Sequence, residues 1–350
     1  MAHKNLDAGI SALLQQGTVI PAHPLALHED LSIDEKKQRA LTQYYMASGA
    51  GGVAVGVHTT QFEIRKPEFN MLEPVLKLAA EEIEKAALSR PFIKVAGIVG
   101  PTDAAKREAA LAVQYGYHLG LVSMGGLAAY SEAELIKRVE AIAAIIPVFG
   151  FYLQPAVGGR ILSYEFWRDF ANIPNVHAIK VAAFNRYQTL DVVRAVCDSP
   201  RRNDIALYTG NDDNIIADLV TPYRFTVNNK MVEKRFVGGL LGHWAVWTKK
   251  SVELFQEIKN GVANNNEGLE NLLSKGIGVT DMNAAIFDSA NAFKGCIAGI
   301  HEVLRRQGLM QGLWCLSPEE KLSAGQKEEI DRIYQCYPEL TDDDFAKQFA

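Results

Sequence analysis

The sequence predicts an α/β protein, a (β/α)8 barrel (TIM barrel) with a C-terminal helical extension. Eight short runs rich in apolar and β-branched residues recur before about residue 250, and longer segments with apolar positions three or four residues apart separate them. Alternating strands and helices indicate parallel strands with helical crossovers, and eight such units are the number that closes a barrel. An open doubly wound sheet is the alternative, but no Gly-x-Gly-x-x-Gly turn follows the first run. The eight runs are 17–21, 52–56, 92–98, 117–123, 145–152, 176–181, 205–209 and 235–240.

The pattern also predicts where the barrel ends and a helical tail begins. Segments 103–115 and 131–144 have helical periodicity and lie between predicted strands. After about residue 250 the predicted strands stop, and three helices are predicted at 251–259, 283–307 and 326–336. We therefore expect a barrel domain over residues 1–250 and a helical extension over residues 251–350, which packs on the barrel or forms a contact between subunits.

Composition and charge exclude several classes of protein. Hydrophobic residues make up 48% and charged residues 22% of the 350 residues, which is typical of a globular protein rather than a disordered or fibrous chain. The net charge of −5, without a basic run, gives no support for a nucleic-acid partner. No apolar stretch is long enough to span a membrane, and the first seven residues lack the apolar core of a signal peptide. Four cysteines without a Cys-x-x-Cys pair are typical of reduced thiols, so we expect a cytoplasmic protein.

Lys180 is the residue that carries most chemical information. Active sites of (β/α)8 barrels lie at the C-terminal ends of the strands, and Lys180 stands near the end of an otherwise apolar run. Alternation places Lys180 on the same face as Val176 and Ala178, which suits the barrel interior. A desolvated lysine tends to lose its proton and to become a nucleophilic amine, which imine formation with a ketone requires. The alternative is an edge lysine whose ammonium reaches solvent.

Tyr152 ends the preceding predicted strand, 28 residues before Lys180. Because adjacent strands lie side by side, we expect its phenol to lie near Lys180, where it could relay protons during imine and enamine formation. The alternative is a buried core tyrosine with a single hydrogen bond.

Several stretches around this pair carry a family resemblance. The pair formed by residues 152–155 and 179–180, and the order of the surrounding motifs, resemble the dihydrodipicolinate synthase and N-acetylneuraminate lyase family of class I aldolases over roughly residues 15–340. In that family a Tyr-x-x-Pro strand end precedes the Schiff-base lysine by the same interval. The other matching stretches are 17–19, 48–53, 173–176 and 209–212.

The resemblance implies a role for each matched residue. Lys180 would form an imine with pyruvate or another 2-keto acid, and Tyr152 would move protons. Gly210 would lie beside the bound keto acid and offer it backbone polar groups. Arg160 would contact a substrate carboxylate, although a solvated loop arginine is an equal alternative at this position.

The turn after the second predicted strand departs from the family pattern. The usual Gly-Thr-Thr-Gly-Glu is replaced here by a sequence in which Val57 lacks a hydroxyl. His58, Thr59 or Thr60 must then supply the contacts to the substrate carboxylate, unless a different substrate is bound. A loop histidine bonded to a backbone carbonyl is the alternative for His58.

The end of the fourth predicted strand departs as well. Ser123-Met124-Gly125-Gly126-Leu127 replaces the family's Pro-Tyr-Tyr, which argues against dihydrodipicolinate synthase activity itself. The two glycines leave space for a bulkier aldehyde, or they simply form a tight turn.

No metal and no cofactor are expected. His23 and His58 could form a metal pair, but no third ligand stands out, and a Schiff-base enzyme needs no metal.

The function predicted on this basis is a class I aldolase or lyase that acts on a 2-keto acid and an aldehyde. A dihydrodipicolinate synthase-like enzyme or a keto-sugar-acid dehydratase using the same imine remains an alternative, as does a keto-acid-binding barrel without turnover. The family resemblance further implies a homo-oligomer, either a dimer or a tetramer.

Overall fold

The computed structural model describes residues 6–264 and 268–350. Residues 1–5, on which the signal-peptide argument partly rests, lie outside the described residues. All eight predicted strands are present, with boundaries that differ by at most a few residues from those expected. They are β1 (Val19–Pro21), β2 (Gly52–Val55), β3 (Ile93–Ile98), β4 (Leu119–Ser123), β5 (Val148–Leu153), β6 (Val176–Ala182), β7 (Ala206–Thr209) and β10 (Phe236–Leu241); β8 (Tyr223–Val227) and β9 (Lys230–Lys234) form a separate hairpin.

These eight strands form one sheet in the order β1-β10-β7-β6-β5-β4-β3-β2. A parallel bridge between Ala22 and Ala54, with the His23 N–H donating to the Ala54 carbonyl at 2.8 Å, joins the two ends of that order. Strands β3 to β7 and β10 pair in parallel with their neighbours in this set. The predicted (β/α)8 barrel is therefore confirmed, and the open sheet is not.

Helices occupy the segments between the strands and the C-terminal part of the chain. Two helices predicted within the barrel are confirmed as α4 and α5, and the predicted helix at 326–336 is confirmed as α12. The helix expected at 251–259 is longer, because α9 extends in both directions. The helices are α1 (Ala8–Gln16), α2 (Glu35–Ala47), α3 (Leu72–Ala86), α4 (Thr102–Gln114), α5 (Glu132–Ala143), α6 (Tyr164–Ala171), α7 (Arg186–Asp198), α8 (Ile215–Val220), α9 (Thr248–Ala263), α10 (Leu269–Ile286), α11 (Cys296–Arg306), α12 (Gln326–Cys336) and α13 (Asp343–Ala346).

The prediction of a single helix at 283–307 is wrong, because the helical conformation is interrupted between α10 and α11. Asp288, Ala292 and Phe293 adopt the left-handed conformation, with φ of 56°, 56° and 66°. The Asp288 carboxylate accepts hydrogen bonds from the Gly295 N–H at 3.0 Å and from the Ser323 hydroxyl. Side-chain bonds of this kind compete with helical ones, which a count of apolar spacing does not register.

An antiparallel hairpin was not predicted. Strands β8 (Tyr223–Val227) and β9 (Lys230–Lys234) pair in register from Tyr223–Lys234 to Val227–Lys230. The connecting residues Asn228 and Asn229 both have positive φ, 50° and 61°, which is the geometry of a type I′ turn. The Asn-Asn pair between two alternating runs was the signal that could have revealed this hairpin.

The chain forms two compact units. The first extends up to Thr18 and includes Ile93–Leu240, and the second comprises Val19–Phe92 and Leu241–Ala350. The predicted division at residue 250 stays a prediction. Within the described chain, no helix combines the length and the apolar character that crossing a bilayer requires.

Candidate active site

Lys180 lies on β6, within the first unit, between two aromatic neighbours. In the sheet register it pairs with Phe151 on β5 and with Tyr208 on β7. Its Nζ lies 4.4 Å from the centroid of the Phe151 ring, and only 7% of the residue is exposed. The prediction of a buried inward-facing lysine agrees with this position, and the snorkelling edge lysine does not.

The environment of Lys180 increases the fraction of neutral amine. Burial lowers its pKa from 10.5 to about 8, and the carboxylate of Asp212 acts in the opposite direction. Across residues 6–264 and 268–350, no hydrogen bond to Nζ is found. The interactions of this amine are those with the ring face of Phe151 and with the charge of Asp212. A pKa near 8 leaves a usable fraction of free amine near neutral pH, which a nucleophile requires.

Gly210 lies directly beside the lysine, as predicted. A Cβ at this position would lie 2.5 Å from Lys180 Cε, so glycine is needed for the lysine chain to pass. Its N–H already donates to the Val181 carbonyl at 2.7 Å, and its carbonyl accepts from the Asp212 N–H at 3.1 Å. The predicted contact between these backbone groups and a keto acid stays a prediction, because both groups have partners.

Tyr152 does not lie where it was expected. Its register partner on β6 is Val181, the residue after Lys180. Because successive side chains of a strand point to opposite faces, the Tyr152 side chain points away from the face that carries Phe151 and Lys180. The phenol ring packs against Trp167 of α6, with ring centroids 5.2 Å apart, and its oxygen accepts from the Leu162 N–H at 3.3 Å. The expectation that the phenol lies beside the amine is therefore wrong, and the alternative of a core tyrosine with one hydrogen bond fits.

The electrostatics of Tyr152 agree with this placement. Burial is the largest cause that raises the pKa of the phenol, and the Leu162 N–H opposes it. The charges that act on it belong to Asp191 of α7 and Glu132 of α5, both on the helical layer.

Arg160 holds two loops of the first unit together. Its Nη1 donates to the carbonyls of Leu127 and Tyr130, each at 3.0 Å. These carbonyls belong to the loop after β4, whereas Arg160 belongs to the loop after β5. A role of Arg160 in binding a substrate carboxylate stays a prediction. In that role the carboxylate would bind guanidinium nitrogen atoms other than Nη1, which donates to the loop carbonyls.

The residues of the second unit are arranged around the His23 carbonyl. Thr60 donates its hydroxyl to this carbonyl at 2.7 Å and accepts from the N–H groups of Gly56 and Val57. The Thr59 hydroxyl donates to the same carbonyl at 3.2 Å, and the half-buried His58 ring lies beside Phe62. Both threonine hydroxyls thus shape the turn, and their predicted contact with a substrate stays a prediction.

His23 itself is a buried structural histidine. Its Nδ1 lies 2.8 Å from the Pro24 carbonyl, and its Nε2 lies 2.9 Å from the Thr42 hydroxyl. Burial lowers its pKa to about 4, although the Pro24 carbonyl acts in the opposite direction. The imidazole is therefore neutral at physiological pH and engaged at both nitrogens.

Two residues at this site were missed by sequence reasoning. Phe151 was hidden because the spacing of motifs does not tell which residue of a strand end faces inward. Asp218, a fully buried carboxylate of α8, accepts hydrogen bonds from Arg186, which lies 32 residues away in the sequence, and from Tyr223. No local pattern in the sequence signals such a convergence.

The ring of eight strands with helices between them, and the buried amine near the end of β6, define a (β/α)8 barrel with a candidate nucleophilic lysine. Solved structures share this fold. A dihydrodipicolinate synthase from Oceanobacillus iheyensis superposes with a TM-score of 0.73 at 17% identity, covering 94% of this chain and 99% of the other. An N-acetylneuraminate lyase from Fusobacterium nucleatum gives a TM-score of 0.68 at 18% identity, covering 92% and 99%.

In sequence, the chain is similar to a 4-hydroxy-tetrahydrodipicolinate synthase of Aromatoleum aromaticum. The two are 29% identical over 191 residues, which make up 53% of this chain and 60% of the relative. The match thus spans about three-fifths of the length of this curated relative. No family model matches the chain. The resemblance to this family that the motifs predicted is confirmed, at low sequence identity.

Proposed function

We propose that this protein is a carbon–carbon lyase of the class I aldolase type, in which Lys180 forms an imine with pyruvate or another 2-keto acid. The observation that supports it is the buried Lys180 amine, whose pKa is lowered to about 8 at the end of a barrel strand. The similarity to the synthase and to the fold of the lyase points to the same chemistry.

The proposed reaction starts with addition of the Lys180 amine to the ketone carbonyl. The carbinolamine loses water and becomes a protonated imine. The hydroxyl group two carbons away from the imine carbon gives its proton to water, and the bond between this hydroxyl-bearing carbon and the carbon next to the imine breaks, so that its electron pair moves into the imine. An aldehyde leaves and an enamine remains; protonation of the enamine carbon and addition of water then release the keto acid and restore the amine. The Phe151 ring face favours the cationic nitrogen of the imine, since an aromatic face attracts a cation.

The substrate-binding part of the proposal concerns His58, Thr59, Thr60, Gly210 and Arg160. We include them as groups that hold the carboxylate of the keto acid. The hydrogen bonds described above set the condition: Thr59 and Thr60 reach a substrate only by sharing or releasing the His23 carbonyl. We also propose that the protein works in the cytoplasm. We further propose that it is a dimer or tetramer, an oligomeric state that light scattering at micromolar concentration tests.

Borohydride trapping tests the proposed imine. Protein incubated with pyruvate and sodium borohydride is digested, and the modified lysine is identified by mass spectrometry. An adduct on Lys180 that is absent from Lys180→Ala supports the proposal. Lys234 provides the matched control, because burial also lowers its pKa, whereas its ammonium donates to the Arg202 carbonyl. Lys234→Gln should therefore keep the adduct. Unmodified Lys180 in the wild-type protein, under conditions in which pyruvate binds, contradicts the imine mechanism.

A second candidate function is a barrel that binds keto acids without turnover. The position of Tyr152 favours it, because the phenol expected to relay protons faces α6 and not the amine. A panel of pyruvate with candidate aldehydes, and retro-cleavage of keto-sugar acids, separates the two functions and also tests the synthase and dehydratase alternatives. Binding of a keto acid with no product in either direction supports the binding protein.

A further inference from the structure

Asp218 is a fully buried carboxylate on which five donors converge. The donors come from the end of β7, from the turn that follows it, from the first residue of α7 and from the first residue of β8. They are the Thr209 hydroxyl at 2.7 Å, the Asn211 amide at 2.9 Å, the Asn214 amide at 3.2 Å, the Tyr223 hydroxyl at 2.9 Å and the Arg186 guanidinium. Such a density of charge-assisted hydrogen bonds fixes the geometry of the groups that donate them.

Two of these donors flank Gly210, which lies against the lysine. Thr209 precedes Gly210 and Asn211 follows it, and both donate to the same oxygen, Oδ2 of Asp218. The space beside Lys180 Cε is too small for a Cβ at Gly210, so a shift of this turn is transmitted to the lysine chain. Asp212, the carboxylate that acts on the charge of Lys180, is the next residue of the turn.

The same network reaches the segment after β6 through Asn211. While its amide nitrogen donates to Asp218, its amide oxygen accepts from the Phe184 N–H at 3.0 Å. Phe184 follows β6, the strand of Lys180, and has a left-handed φ of 51° that this hydrogen bond helps to hold. The segment after β6 and the turn after β7 are therefore tied to each other beside the amine.

We infer that Asp218 is the positioning residue that holds the turn carrying Gly210 and Asp212 against Lys180, and so sets the reactivity of the amine. The inference rests on the proposed function, in which this amine is the nucleophile. Asp218 acts on Lys180 indirectly, through the hydrogen bonds that it accepts from Thr209 and Asn211.

The charged and titratable groups that face Lys180 are few among the described residues. Strand β5 presents the uncharged ring of Phe151, and strand β7 presents Tyr208, whose hydroxyl donates to the Leu14 carbonyl. The turn after β7 presents Asp212, which raises the pKa of Lys180 against the effect of burial. If Asp212 moves away from the amine, the pKa of Lys180 is therefore expected to fall.

Asp218→Asn tests the inference, because it keeps the shape of the side chain and removes its charge. The reactivity of Lys180 toward an acylating reagent such as acetic anhydride, followed by mass spectrometry across pH, gives the titration midpoint of the amine without any keto acid. We expect the midpoint to fall by on the order of half a pH unit. Imine trapping with pyruvate should slow by roughly tenfold, because a misplaced nucleophile reacts more slowly.

Two further variants distinguish positioning from a general loss of stability. Ser199→Ala removes a buried hydroxyl of the same unit that bonds the Ala171 carbonyl and Asn172, and it should leave the midpoint unchanged. Asp212→Asn should lower the midpoint, and adding Asp218→Asn to it should produce no further shift, because both act through the same carboxylate. If Asp218→Asn does not fold, Thr209→Val removes one donor to Asp218 and should shift the midpoint in the same direction.

Each outcome decides between the alternatives. A wild-type midpoint in Asp218→Asn, or an equal shift in Ser199→Ala, overturns the inference. Additive shifts in the double variant overturn the route through Asp212. If pyruvate is not trapped on wild-type Lys180, the proposed function fails, but the labelling midpoints still show whether Asp218 positions the turn.

Discussion

Replacing Gly210 by alanine is expected to displace the amine of Lys180 and to slow imine formation by roughly a hundredfold. The added Cβ would lie 2.5 Å from Lys180 Cε and 2.8 Å from Ala182 Cβ. Carbon atoms pack at about 3.5–4.0 Å, so the lysine chain must move by about 1 Å. Overpacking of this kind also costs about 1–3 kcal/mol of unfolding free energy.

The assay compares the rate of borohydride trapping with pyruvate at a pH above 8, where the Lys180 amine is largely neutral, with the free energy of unfolding in urea. Gly150→Ala is the matched control, because its added Cβ would meet Phe170 at 2.6 Å on the helix-facing side of β5. It should lower stability by a similar amount and leave trapping close to the wild-type rate. Wild-type trapping in Gly210→Ala, or an equal loss in Gly150→Ala, would refute the reasoning.

Three further predictions concern Tyr152, Lys180 and Asp342. Tyr152→Phe should keep trapping on Lys180 within about twofold of wild type and should lose about 1 kcal/mol in urea unfolding, since the Leu162 N–H loses its acceptor; a hundredfold slower reaction would show that the phenol reaches the amine. The pKa of Lys180 is lowered to about 8, so the unfolded chain binds more protons between pH 8 and 10.5 and stability rises with pH across that window. Lys180→Met should therefore be more stable than wild type at pH 7 by about 3 kcal/mol in urea unfolding, an advantage that should vanish by about pH 10.5; no stability gain at pH 7 would contradict the burial cost. Burial raises the pKa of Asp342 to about 6, so the folded state binds more protons between pH 3.8 and 6 and loses stability as pH rises through that range. Asp342→Asn should therefore gain stability relative to wild type between pH 4 and 7. Parallel plots of unfolding free energy against pH for the two proteins would exclude this.

The strands and the position of Lys180 could be predicted because both depend on local pattern. An apolar run interrupted by one lysine leaves few options: alternation assigns the face, and the barrel fold assigns the strand end. The helix between residues 283 and 307 could not be predicted as two helices, because the break depends on Asp288, whose carboxylate binds Gly295 and Ser323 only after the chain has folded. The hairpin at 223–234 lay between two recognised strands, and the expected count of eight left no place for it.

The failure at Tyr152 has a more general physical cause. An interval of 28 residues between a tyrosine and a lysine says nothing about the face on which either side chain stands. A displacement of one residue in the pairing of two strands exchanges their inward and outward side chains. In this structure Phe151 takes the inward position and Tyr152 the outward one. The register of β5 against β6 includes an irregularity between Val148 and Phe149, which no motif reveals.

The chemistry at Lys180 follows from this register. A phenol beside the amine would supply both a proton carrier and a hydrogen-bond partner, whereas the Phe151 ring supplies neither and contributes an apolar surface with a negative face. Burial by this surface is the larger influence on the amine, and Asp212 is the charge that limits its effect. The reactivity of the lysine is therefore set by a balance between an apolar neighbour on β5 and a carboxylate on the turn after β7. Because that turn is held by Asp218 and packs through Gly210 against the lysine chain, the two sides of the balance can be changed separately by substitution. Phe151→Leu should change the apolar side of this balance while leaving the Asp218 network intact, whereas Asp218→Asn should change the side set by Asp212 while leaving the Phe151 ring in place.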